Sequence, residues 1–311
     1  MFIKDLKDGD RLELQAIVAN ASKGVNASGM QYYNVELRDS SGSINAKKWE
    51  ISDKDAEIFI TGNIVSLYVE VLKYRDNLQL KILDASICNA NQIDVTKFIK
   101  APPIPKEEIV ARFNKIVDSI KDEDCREILN YFIVKFEDKL YDAPAAASVH
   151  HEFSSGLLLH SVSIAEICDY LSSYYEDVDR DLLLTGAILH DFGKMIELEG
   201  PAVYHYSVEG KLLGHISIMC GELRKAAEEL GITSEVPLLL EHMVLSHHGQ
   251  YEFGSPVMPL TREALLLSMV DMLDSKMLIL DKAYADVKPG EFTQKIFPLD
   301  NRTFYKAKNK K

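Results

Sequence analysis

Two kinds of hydrophobic periodicity divide the chain near residue 100. Before it, apolar and polar residues alternate over short runs: "RLELQAIVANAS", "QYYNVELRDSSG", "SINAKKWE", "NIVSLYVEVLKYRDN" and "LQLKILDASI". A period of two sends successive side chains to opposite faces, so these runs predict five β-strands. A short helical stretch near "SDKDAEIF" falls between the third and fourth, and "NASKGVNASGMQYY" reads as a flexible loop joining the first and second. The three prolines of "KAPPIPKEEI" suit a stiff linker. From Lys106 onward the apolar residues recur at spacings of three and four, an almost entirely helical pattern.

Five strands with a helix between the third and fourth is the layout of the oligonucleotide-binding (OB) barrel, which grips single strands on the face of its second and third strands. The expected architecture is therefore multidomain. An all-β five-stranded OB-type barrel occupies residues 1–98, a Pro-rich linker 99–106, an all-α bundle 107–290 and a basic C-terminal tail 291–311, whose end "NRTFYKAKNKK" is expected to be solvated. The barrel segment interleaves Tyr32, Tyr33, Trp49, Tyr68 and Tyr74 with Lys47, Lys48, Lys73, Arg75 and Lys81. Aromatic rings stack on bases and cations follow phosphates. The competing reading is burial, since alternate strand residues must point inward. Trp49, Tyr33 and Lys48 are the expected substrate contacts.

The helical half carries histidines and aspartates on otherwise apolar faces. His160 shares the face of Ile164, Ile167, Cys168 and Leu171 in "GLLLHSVSIAEICDYL". His190 and Asp191 end the apolar run "DLLLTGAILHDFGK", with Lys194 three residues beyond the aspartate. His215 continues into Ile218, Met219 and Glu222; His247 follows Leu240, Met243 and Val244; Asp271 stands one turn after Leu267. An unpaired buried carboxylate or imidazole is costly unless something binds it, and these are groups that divalent transition metals accept. Unrelated core and surface histidines are the alternative.

The order H…HD…H…HH…D, in "LLLHSV", "LHDFGK", "LLGHIS", "LSHHGQ" and "MVDMLDS", resembles the HD-domain metal-dependent phosphohydrolases in their two-metal version. An N-terminal OB-like barrel before this variant, with "HHEFSSGLLLHSV", "GKLLGHIS" and "LSHHGQYEFGSPVMP", resembles the YhaM family of bacterial exoribonucleases over nearly the whole chain. The resemblance implies hydrolysis of single-stranded RNA, and of single-stranded DNA as well, from a free 3′ end to 5′-mononucleotides. It also implies two divalent metals of the manganese type, with cobalt, iron and zinc open to the same ligands.

In that reading His160, His190, Asp191 and Asp271 hold one metal, and Asp191 bridges to a second held by His215 and His247. Two metals about 3.5 to 4 Å apart stabilise both attacking and leaving oxygens at phosphorus. Lys194 neutralises charge on the phosphoryl oxygens. His248 either completes the second metal's ligands or protonates the leaving oxygen. His151 is the expected contact to the terminal phosphate, helix capping by His150 and His151 being the alternative. Gly193 and Gly249 allow close backbone approach or simply end helices. Asp274 shares a helical face with Asp271 and is expected to be solvated, a supporting role beside the metal being the alternative. His205 and His242 are left outside the site.

Charge and composition refine this picture. The chain has 35 basic and 48 acidic residues, but residues 1 to 100 hold 13 and 14 of them, so the acidic excess belongs to the helical half. Local distribution, more than the total, decides phosphate binding. Cys88, Cys125, Cys168 and Cys220 form no CxxC element, which points to a reducing compartment. With acidic residues at "MFIKDLKDGDRLEL" and no long apolar run, a cytoplasmic protein without membrane association is expected. A homo-oligomer is compatible with the resemblance. The alternative function is HD-type hydrolysis of cyclic dinucleotides or nucleotides with the barrel as regulator, although the "GYP" element of the cyclic-dinucleotide branch is missing. Oxygenase chemistry with iron and a non-catalytic RNA-binding scaffold are further alternatives.

Overall fold

The computed structural model describes residues 1–26, 28–75, 77–88, 97–98, 102–143, 154–200, 204–285 and 287–308. The chain forms two compact units, Met1–Pro103 with Leu198–Tyr206, and Ile104–Glu197 with Ser207–Lys311.

The first unit is a closed barrel of β1 (Arg11–Val25), β2 (Gln31–Asp39), β3 (Gly42–Trp49), β4 (Ile64–Tyr74) and β5 (Asn77–Ile87) in the order β1-β2-β3-β5-β4. Antiparallel pairing of β1 with β4 closes it, and β3 pairs with β5 in parallel. The short α1 (Asp55–Ile58) lies between β3 and β4, so order and insertion together are those of an OB barrel. Alternation builds the core: Tyr33, Val35 and Leu37 of β2 and Val65, Leu67, Val69 and Val71 of β4 all point inward. The segment expected to be a flexible loop is mostly strand. β1 runs on to Val25 and pairs with β2 as far as Gln31. Backbone pairing absorbs its small polar residues, leaving a short turn in which Asn26 Oδ1 accepts from the amides of Ser28 and Met30.

The second unit comprises α2 (Lys106–Ser119), α3 (Glu123–Lys135), α4 (Glu137–Leu140), α5 (Gly156–Tyr174), α6 (Arg180–Leu189), α7 (Lys194–Glu197), α8 (Val208–Leu230), α9 (Val236–Ser246) and α10 (Arg262–Ala285). Every residue of α6 from Leu182 to Leu189 is buried, as befits a helix that is apolar all round. Asp179 caps it, accepting from the Leu182 amide. Its last turn delivers His190 and Asp191 into the middle of the bundle, where α5, α9 and α10 pack against it. The C-terminal tail is folded as far as it is described, including Arg302 and Tyr305 of the stretch expected to be solvated. Backbone bridges join Phe292 to Tyr305 and Ile296 to Arg302, and Leu299 is buried. Among the described residues no helix is long and apolar enough to cross a membrane.

Candidate metal centre

Seven of the residues singled out in the helical half converge. Donor atoms held about 2.1 Å from one tetrahedral ion lie roughly 3.4 Å apart. His160 Nε2 lies 3.3 Å from His190 Nε2, 3.6 Å from Asp191 Oδ2 and 3.4 Å from Asp271 Oδ1, and His190 Nε2 lies 3.4 Å from Asp191 Oδ2. The other oxygen of the same aspartate serves a second group. Asp191 Oδ1 is 3.4 Å from His215 Nε2 and 3.7 Å from His247 Nε2. His215, His247 and His248 bring one donor atom each to within 4.8 Å of one another.

The rings are oriented from behind. His190 Nδ1 donates to the Ala187 carbonyl at 2.8 Å, His247 Nδ1 to Val244 at 2.7 Å and His248 Nδ1 to Phe253 at 2.7 Å. A carbonyl only accepts, so each of these rings carries a proton on Nδ1, and its neutral form presents a lone pair on Nε2. Carboxylates do the same for the other two: His160 Nδ1 lies 2.9 Å from Asp274 Oδ2 and His215 Nδ1 lies 3.2 Å from Glu197 Oε1. Such partners hold a metal-ligating imidazole in one tautomer and one direction. Asp191 Oδ1, His215 Nε2 and His247 Nε2 are buried without a hydrogen-bond partner. Three orphaned acceptors facing one another fit a cation of two charges.

Electrostatics agree. Burial would raise the Asp191 carboxyl, but Lys194, whose Nζ lies 2.6 Å from Oδ2, and the imidazoles of His190 and His215 hold it well below the usual carboxylate range. Burial works against the Lys194 ammonium too, and Asp191 outweighs it and raises the lysine. Burial together with neighbouring His190 and His248 keeps His247 neutral. At His160, burial opposes the charge but Asp271 and Asp274 overcome it and lift the imidazolium to about 9.

Two carboxylates support the rings, and of these Glu197 was not singled out in the sequence. Glu197 Oε1 accepts from both the backbone amide and the ring of His215. Asp274, expected to be solvated, faces the His160 ring, because three residues on from Asp271 it lies on the same buried side of α10. The signal for Glu197 was the Gly214-His215 pair. α8 breaks at Gly214, whose φ of 72° suits glycine, and His215 begins the next helical turn with an amide that needs a partner from outside the helix. Gly193 has a different constraint: a Cβ there would lie 2.1 Å from the His215 carbonyl oxygen. The turn after Asp191 can meet α8 only as glycine. His242 Nε2 accepts from the Leu260 amide, outside the cluster. His150 and His151 lie outside the described residues.

On the barrel, cross-strand register decides which aromatic is available. Trp49 pairs with Tyr32, and Tyr33 with Lys48, so Trp49 and Tyr33 face opposite ways. Tyr33 is therefore a correction: it is 6% exposed, packed on Phe59 in the barrel core. Lys48, paired with Tyr33, is partly buried, its ammonium donating to the Leu83 carbonyl at 3.2 Å. The outer face instead carries Tyr32 and Trp49, ring centroids 4.7 Å apart, with Lys47 Nζ 5.1 Å and 5.6 Å from the two rings.

Residues 157–276 match the HD domain family. The 3′-5′ exoribonuclease YhaM of Geobacillus sp. (strain WCH70) is 41% identical over 299 residues, spanning 96% of this chain and 92% of that protein. Among solved structures, a domain of replication protein A from Methanococcus maripaludis is 21% identical and covers 29% of this chain and 94% of its own, with a TM-score of 0.25. The OB domain of a Methanosarcina mazei protein is 27% identical, covering 28% of this chain and 78% of its own, with a TM-score of 0.22. The barrel assignment rests on its own strand order. Extent and identity of the full-length match decide the family: the chain belongs to the YhaM family of 3′-5′ exoribonucleases.

Proposed function

We propose that the protein is a metal-dependent phosphodiester hydrolase that removes 5′-mononucleotides from the 3′ end of single-stranded RNA, and of single-stranded DNA as well. The observation that carries the chemistry is the set of imidazoles whose Nδ1 atoms are tied back while their Nε2 sides gather around the Asp191 carboxylate. His160, His190, Asp191 and Asp271 would hold one divalent ion; Asp191, His215, His247 and His248 would hold another. When bound, the pair supplies Lewis-acid charge that activates water and stabilises oxygens at phosphorus. Manganese suits this mix of imidazole and carboxylate, as do cobalt, iron and zinc.

The chain's own groups do the rest. Asp191 joins the two ligand sets and Lys194 stands beside it, 2.6 Å from Oδ2, where its ammonium can meet a phosphoryl oxygen. His248 gives its one N–H to the Phe253 carbonyl, which leaves Nε2 as a lone pair and favours a ligand over a proton donor. The Tyr32–Trp49 pair with Lys47 offers a stacking face and a cation, the combination that binds single strands without regard to sequence. Free cysteines at 88, 125, 168 and 220 suit a cytoplasmic setting.

A time course with manganese on single-stranded RNA labelled at its 5′ end tests the reading, beside a variant carrying both His190→Ala and Asp191→Ala. A descending ladder confined to the unaltered protein supports it. Intact RNA, with cyclic dinucleotides or nucleotides cleaved instead, overturns it.

A further inference from the structure

The cluster of ligands opens on one side into a cavity of about 290 Å³ within the helical unit. Asp271 and His248 form its floor, Phe253, Met272, Ile279 and Pro298 its apolar walls. We infer that this cavity receives the base and sugar of the 3′-terminal nucleotide, held by faces and not by edges, and that the folded C-terminal segment is one wall of it. The inference rests on the hydrolase reading above.

The placement follows from α10. Asp271, Ser275 and Ile279 recur every fourth residue, so one helical stripe runs from a candidate ligand outward for roughly 12 Å. A phosphate seated at Asp271 has its own sugar and base one or two turns along that stripe. The walls are chemically suited to a π-face: an aromatic ring, a thioether and a proline. Phe253 is coupled to the centre, because its carbonyl accepts from His248 Nδ1 at 2.7 Å. Volume argues for one nucleotide, since cavities that enclose drug-sized ligands begin at about 300 Å³.

Polar lining is sparse. Apart from the two floor residues, Ser275 and Lys276 are the polar side chains that line the cavity, and both are suited to a ribose hydroxyl or a backbone phosphate. Among the described residues that line the walls, none carries an amide or carboxylate that would read a Watson–Crick edge. An enzyme that must consume every base in turn needs that indifference.

Pro298 comes from the 3-10 turn Phe297–Leu299, which α10 holds through contacts with the turn and buried Leu299. The backbone bridge between Ile296 and Arg302 closes this turn.

The test compares binding of adenosine 5′-monophosphate and ribose 5-phosphate to the full-length protein in manganese, by calorimetry, in the unaltered chain and in Phe253→Ala, Phe253→Tyr and Pro298→Gly. Phe253 is 57% exposed, so its truncation leaves the fold intact, and the backbone carbonyl that orients His248 is kept. The unaltered protein is expected to prefer the nucleotide about tenfold, the size of a base stacked on one aromatic. Phe253→Ala should erase most of the preference, Phe253→Tyr restore it, and Pro298→Gly reduce it. An unaltered protein that binds the two compounds equally, or a preference that survives Phe253→Ala, overturns the assignment. The RNA ladder is run in parallel. A base preference lost in Phe253→Ala without any RNA cleavage sinks the exoribonuclease reading and keeps the subsite; cleavage without a base preference does the reverse.

Discussion

His160 Nδ1 lies 2.9 Å from the Oδ2 of Asp274, and this pair turns the Nε2 of His160 towards Asp191 and Asp271. α10 thus supplies a candidate ligand at Asp271 and the carboxylate that aims the opposing ring three residues later. Losing such a partner typically costs ten- to a hundredfold in metal affinity. Asp274→Ala is expected to need about ten- to a hundredfold more manganese for half-maximal RNA cleavage while reaching a rate near that of the unaltered protein. A manganese titration of activity decides it. An unchanged midpoint would mean that packing alone orients His160.

The same pair makes metal uptake depend on pH. Burial disfavours a charge on His160, yet Asp271 and Asp274 prevail and raise it from 6.5 to about 9 in the metal-free protein. For a raised histidine the stabilisation by the imidazolium is fully present below 6.5 and fades as pH climbs through about 9. Metal needs the neutral ring, so its affinity runs the other way. Each ion bound to the first set should release close to one proton near pH 7, and its affinity should gain about tenfold per pH unit up to the titration of His160. Calorimetry in buffers of different ionisation enthalpy counts that proton.

Gly193→Ala should act on the second ligand set first. Its Cβ would meet the His215 carbonyl oxygen at 2.1 Å, and backbone on both sides must separate to relieve it. That movement parts Asp191 from His215 and spares His160, which belongs to α5. The expected result is a drop from two bound manganese ions per chain to about one, with cleavage falling at least a hundredfold. Metal analysis after gel filtration measures the stoichiometry, and circular dichroism guards against unfolding.

On the barrel, Trp49→Ala and Tyr33→Ala should separate binding from stability. Trp49 stacks on Tyr32 at the outer face, so its loss should weaken binding of long single-stranded RNA by about tenfold and leave the folding transition near its place. Tyr33 is 6% exposed and packed on Phe59, so its truncation should destabilise the barrel by about 3 kcal/mol. Fluorescence anisotropy and urea denaturation read the two effects. The reverse assignment of effects would mean that Tyr33 and not Trp49 meets the RNA.

These two neighbours also show what a sequence leaves open. Alternation in "QYYNVELRD" announces a strand with one buried face, but at adjacent tyrosines a shift of one residue exchanges inside and outside, and only the pairing with β3 chooses. In the helical half, His160, His190, His215 and Asp271 were legible because a polar group on an apolar helical face is conspicuous. Glu197 was not. It meets His215 through a short helix and a break at Gly214, a geometry that no periodicity encodes. The C-terminal segment went unread for another reason: its bridges and one buried leucine hold it, a pattern too sparse to differ from a solvated tail.

Lys194 separates holding a metal from using it. In the metal-free protein its ammonium neutralises Asp191 at 2.6 Å, within a site where Asp191 and Asp271 are both held below the ordinary carboxylate range. A divalent ion brings its own charge to the same oxygen, so Lys194→Met should not weaken metal binding and should tighten it, since one competitor for Asp191 is gone. The phosphoryl oxygens would then lack their nearest side-chain cation during hydrolysis. Removing a single well-placed charge stabiliser lowers turnover by about a hundred- to a thousandfold, and the loss should appear in kcat with KM little changed. Without metal the variant leaves Asp191 buried without its closest cation, so its melting temperature should fall on chelation by more than that of the unaltered protein. Kinetics at saturating manganese and melting curves with and without chelator read both effects. A variant that instead recovers full kcat when manganese is raised would make Lys194 a prop for the ligand set and no part of the chemistry.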